Sequence, residues 1–123
     1  MGAALVRGII ERGTVSAQSV IVCDLDQDLV RRICDDMGVV DGNEAAHVAG
    51  SADLVVLAAK PQNLPSLLEE ISPCINANQT IMSIAAGVTT QSIEERLGGQ
   101  PSVIRVMPNL PALVGEGISL ICG

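Results

Sequence analysis

Lys60 sits in Ala58-Ala59-Lys60-Pro61-Gln62, directly after an apolar run. An ammonium at the C-terminal end of a buried parallel strand can face the pyrophosphate or ribose of a dinucleotide, because ligands of open α/β sheets gather at that edge. Pro61 stiffens the turn, so that the backbone of Ala58 and Ala59 can approach such a ligand. A second strand end, Ser83-Ile84-Ala85-Ala86-Gly87, offers side chains small enough to let the chain pass close to a flat ring. Each segment also has a plainer reading, Lys60 as a solvated strand-end lysine and the alanines as ordinary tight packing.

Two further positions extend the pattern. Met1-Gly2-Ala3-Ala4-Leu5 reads like the tail of a GxGxxG loop, with Gly2 as the glycine that lets a helix pack closely on a strand, or simply as the start of a helix. Asp24 ends the next apolar run about twenty residues on, where an acid can bind the adenosine ribose hydroxyls. It reads equally as a turn residue or as an N-cap, a role that Asp26 can also take. An acid at this point repels the 2′-phosphate of NADP, which leans the reading toward NAD. Finally, the rigid stretch from Arg105 to Gly117, with prolines at 108 and 111, carries Asn109, whose amide both donates and accepts hydrogen bonds.

Other reactive residues lack the company that catalysis needs. The only histidine, His47, lies in a helical stretch with no Ser or Asp placed to make a triad. The pairs Asp35-Asp36, Glu69-Glu70 and Glu94-Glu95 are solvated helix faces. The four cysteines show no CxxC pairing, which argues against a zinc site and a disulfide framework. No catalytic acid–base pair, nucleophile or metal cluster is expected.

Those strand ends need a sheet to position them. The 123 residues, 48% of them hydrophobic, make one domain with a core, built without a single Phe, Tyr or Trp. Net charge is −7 with the basic residues scattered, which repels phosphate backbones and, with no aromatic platforms, argues against nucleic acid as a partner. Every apolar run is broken well before membrane-span length, and the first ten residues do not read as a secretory signal, so a cytoplasmic protein is expected. Strands are predicted at Val20–Asp24, around Val39, and at Asp53–Ala59, Thr80–Ala85, Ser102–Met107 and Ile118–Ile121, apolar enough for burial on both faces. Helices are predicted at Ala3–Glu11, Asp26–Met37, Leu64–Ile71 and Thr90–Leu97, stopped by Gly13, Gly38 and the Gly98-Gly99 pair where those follow. The class is α/β, a Rossmann-like, mostly parallel doubly wound sheet.

Taken in order and at their spacing, the segments at 1–5, 58–62, 83–88 and 105–117 resemble the pyrroline-5-carboxylate reductase family over essentially the whole chain. The resemblance implies hydride transfer from NADPH or NADH to 1-pyrroline-5-carboxylate, giving proline. It implies that Gly2, Ala58, Ala59, Lys60, Pro61, Ile84, Ala85 and Ala86 line the cofactor, with Asn109 near the nicotinamide. It also implies a homo-oligomer acting on a small imino acid. In the family a first strand and two glycines precede the position of Met1, and a helical dimerisation and substrate domain follows the position of Gly123. Leu110 stands where the family has Thr. The expectation is therefore a nucleotide-binding domain lacking its first strand, with little turnover or NAD(H) binding alone and with unpaired sheet edges open to self-association. The rivals are another reductase of the 6-phosphogluconate-dehydrogenase-like group and a non-catalytic dinucleotide-binding fragment.

Overall fold

The computed structural model describes residues 2–13, 15–107 and 120–122. Five α-helices and six strands are assigned among them. The helices are α1 (Gly2–Glu11), α2 (Gln27–Met37), α3 (Ala45–Ser51), α4 (Leu64–Ile71) and α5 (Thr90–Arg96). The strands are β1 (Ile21–Val22), β2 (Val40–Asp41), β3 (Leu54–Leu57), β4 (Thr80–Ser83), β5 (Ser102–Met107) and β6 (Leu120–Cys122).

Local chemistry sets the helix limits. Asp26 caps α2 by accepting from the backbone N–H groups of Asp28 and Leu29 at 3.1 and 3.2 Å, satisfying two donors that no helical carbonyl can reach. The helix closes at Gly38, whose φ of 72° suits a residue without Cβ. Thr89 caps α5 in the same way, its hydroxyl accepting from Ser92 N–H at 3.1 Å.

The strands form two sheets. In one, β1 and β2 pair in parallel. In the other the order is β3-β4-β5-β6, parallel except for the antiparallel β5–β6 pair. Val40 and Gly42 donate to the carbonyls of Val20 and Val22, so the backbone groups of the alternate residue Ile21 point away from β2. On β3, Asp53 and Leu57 accept from Thr80 and Ile84, which leaves Leu54 and Val56 facing away from β4. Neither outer edge has a strand partner among the described residues. In a doubly wound sheet of order 3-2-1-4-5-6, the position of the first strand falls between these two edges. The α/β class and the mostly parallel pairing are those expected, with the strands divided between two sheets.

Two expectations need correction. The early strands are shorter than their apolar runs, two residues instead of Val20–Asp24 and four instead of Asp53–Ala59, because a strand extends only as far as its neighbour pairs with it. Burial on both faces is not observed either. Along β3 and β4 buried residues alternate with less covered ones: Val55, Leu57, Ile81 and Ser83 are buried, while Val56 and Met82 are half-buried and Leu54 is exposed.

The buried face packs against α3, α4 and α5, in a core that includes Ala49, Leu64, Leu68, Ile71, Ile93 and Leu97. Gln79 ties this layer to the sheet. Its side-chain amide donates to the carbonyls of Ala49 and Ala52 at the end of α3, the latter at 2.7 Å. Its oxygen accepts from Asn76 N–H at 2.8 Å. Gly42 lets α3 close on β1, since a Cβ there would stand 2.7 Å from Ile21 Cγ2 and closer still to Val48.

Candidate dinucleotide-binding edge

β3 and β4 run side by side from Leu54↔Thr80 to Leu57↔Ser83. Ile84 N–H then donates to Leu57 O at 3.1 Å, so the chain leaves both strands at one level. This brings segment 58–61 beside segment 84–86 at the C-terminal edge of a parallel pair.

After β3, Lys60 is extended, with φ −63° and ψ 148°, as the residue before a proline prefers. Pro61 opens a short 3-10 turn, closed by Asn63 N–H donating to Lys60 O at 2.9 Å. Ala58, Lys60 and Pro61 are exposed, whereas Ala59 is half-buried and packs against the core. After β4, Ser83 is fully buried and its hydroxyl accepts from Ala85 N–H at 3.3 Å, fixing the start of the turn. Ala86 is exposed and Ile84 half-buried. Ala85, expected to line a ligand, puts its side chain in the core, so it can serve the edge only through its backbone. Gly87 turns the chain with φ 74°, and no atom lies within 4 Å of where its Cβ would be.

The other expected positions are placed separately. Gly2 is the first residue of α1. Asp24 is exposed beyond β1, in the two-stranded sheet, and its Oδ1 accepts from Asp26 N–H at 2.8 Å. That is the turn geometry of an Asx residue, and it engages one of the two carboxylate oxygens. The end of β1 is electronegative: the Cys23 thiol is held above its ordinary pKa, first by burial and then by the carboxylates of Glu70, Asp24 and Asp41. Asn109 lies outside the described residues.

Exposed small residues, a lysine at a strand end and a glycine turn can admit a flat ring and an anionic linker. Among the described residues no group of carboxylates, cysteines or histidines could hold a metal ion. No described helix is long and apolar enough to cross a membrane. The sequence reading missed Gln79, whose partners lie 27 and 30 positions away and leave no local signal.

Comparison with known proteins agrees with this fold. Over 121 residues the chain is 36% identical to pyrroline-5-carboxylate reductase of Escherichia coli, a match that takes in 98% of this chain and 45% of that protein. The chain thus spans about half the length of the curated relatives it matches. A pyrroline-5-carboxylate reductase structure from Coxiella burnetii superposes with a TM-score of 0.92 at 30% identity, over 98% of this chain and 44% of that one. The Plasmodium falciparum pyrroline carboxylate reductase, solved with NADP bound, gives 0.80 at 26% identity over 99% and 44% of the two chains. Residues 1–87 match the model of the family described as NADP oxidoreductase, coenzyme F420-dependent. The chain belongs to that family, and within it resembles the N-terminal domains of pyrroline-5-carboxylate reductases.

Proposed function

We propose that residues 1–123 are the NAD(P)-binding domain of a reductase that transfers hydride to the C=N bond of 1-pyrroline-5-carboxylate, giving proline. The observation that carries this reading is the Leu57↔Ser83 pairing, which sets Ala58–Pro61 beside Ile84–Ala86 at the strand ends of a chain similar to enzymes of that name. The relative solved with NADP supports NADPH as cofactor, with NADH as the alternative that Asp24 favours.

Bound there, NAD(P)H would supply the hydride, and this chain's residues would position it. Lys60 would offset pyrophosphate or phosphate charge, while Ala58, Ala59, Ala86 and Ile84 would hold the dinucleotide through backbone groups and small side chains. Gly2 at the start of α1 and Asp24 beyond β1 would meet its phosphate and ribose parts, and Asn109 its nicotinamide end. A protonated imine accepts hydride directly, so positioning is the main task left to the protein. The fit rests on the exposed, unobstructed turn at Gly87 and on the small exposed residues flanking it.

The reading includes a cytoplasmic setting and, as partners, a small imino acid and further copies of the chain. Its test is a graft of this chain into the E. coli relative in place of the matching 121 residues, assayed for imine-dependent NADPH oxidation. The folded graft should turn over, and the isolated chain should bind NADPH more weakly than the graft. A folded graft that oxidises no NADPH with pyrroline-5-carboxylate would sink the proposal.

A further inference from the structure

A cavity of about 220 Å³ opens between α4 and α5, with Pro61 and Gly87 of the candidate edge also in its lining. Its lining is divided. Leu64, Pro65 and Leu68 of α4, with Val88 before α5, make an apolar wall, while Ser92 and Arg96 stand together on α5. They are four residues apart on a helix and so share one face. Ser92 is held by its own N–H, which donates to Thr89 at 3.1 Å.

The charge at Arg96 has no ion-pair partner among the described residues, whereas Arg7 pairs with Glu11 and Asp36, and Arg31 with Asp28. An exposed guanidinium beside an apolar cavity can hold an anion that enters from solvent. The volume falls below the about 300–1,000 Å³ of drug-sized sites, which restricts the occupant to a small molecule. The planar donor fork of arginine matches a carboxylate, and the leucine and valine wall matches a compact saturated body.

We propose that the α4–α5 cavity binds a small monocarboxylate with a compact saturated body, its carboxylate held by Arg96 and Ser92 and its body by Leu64, Leu68 and Val88. The five residues that would hold it are not among those assigned to the dinucleotide, although Pro61 and Gly87 line both places.

The test uses cyclopentanecarboxylate as probe and follows the methyl resonances of the chain by NMR. Saturable shifts are expected at Leu64, Leu68 and Val88. On the same unmodified chain, neutral cyclopentanecarboxamide should bind about tenfold more weakly or worse, the loss expected for a charge-assisted contact. Arg96→Gln, at an exposed position, should weaken the carboxylate by a similar factor with the melting temperature unchanged, and Arg96→Lys should recover part of it. Absence of shifts at millimolar probe, equal binding of acid and amide, or indifference to Arg96→Gln would each overturn the proposal.

Discussion

Leu57 of β3 and Ser83 of β4 are paired in parallel register, and the bond from Ile84 N–H to Leu57 O continues that pairing one step past the strands. Because the register is fixed by backbone hydrogen bonds, a one-residue slip would turn every buried side chain of β3 away from the helices. The same bonds hold the Lys60 turn level with the Ala86 turn.

Lys60 is exposed and contributes little to that core. Lys60→Ala in the grafted enzyme should raise the cofactor dissociation constant about tenfold while leaving the melting temperature within a degree or two, since loops at strand ends carry function more than packing. Calorimetric titration and thermal denaturation of the same sample check both halves. An unchanged dissociation constant would make Lys60 an ordinary solvated lysine.

Asp24 already engages one carboxylate oxygen with Asp26 N–H, and after burial and Glu70 its charge helps to raise the Cys23 thiol. Asp24→Ser removes a charge that opposes a 2′-phosphate, and in the grafted enzyme it should raise the ratio of NADPH to NADH efficiency about tenfold. A ratio that stays put would confine Asp24 to its turn.

Gln79 is 5% exposed and satisfies two carbonyls at the end of α3. Replacing it with leucine keeps the bulk but orphans both acceptors, at about 1–3 kcal/mol for each buried group left unpaired. Urea unfolding should show Gln79→Leu less stable by about 2–4 kcal/mol. A loss under half a kcal/mol would mean that water replaces the amide.

The Cys23 pKa is raised in the folded chain, chiefly by burial. The unfolded thiol therefore ionises first, and the linked contribution to stability is present below the ordinary thiol pKa and fades as pH rises through the folded value. Unfolding free energy should fall as pH rises above the ordinary thiol pKa of about 8.5. Cys23→Ala should flatten part of that fall, and an identical slope in the variant would exclude the thiol as its source.

The outer edges of β1 and β3 carry no strand partner among the described residues, and Leu54 on β3 is 47% exposed. Open apolar edges recruit strands from other chains. Light scattering should show self-association that grows with concentration and recedes in Leu54→Lys. A wild-type chain that stays monomeric at high concentration would show that these edges are protected.

Much of this was legible in the residues themselves. Caps and stops are local: Asp26, Thr89, Gly38 and the Gly98-Gly99 pair act on neighbours within a turn, so α2 and α5 could be read from spacing alone. The apolar runs likewise announced the strands, and the small residues around Lys60 and Ala86 marked the candidate edge. What local order could not carry was pairing. Only the tertiary structure decided that β1 stops after two residues, that β3 buries one face more deeply than the other, and that Ala85 turns its side chain into the core. It alone joined Gln79 to α3 and set Arg96 beside Leu68, because contacts between residues some thirty positions apart depend on how helices and strands pack and not on the sequence near either one.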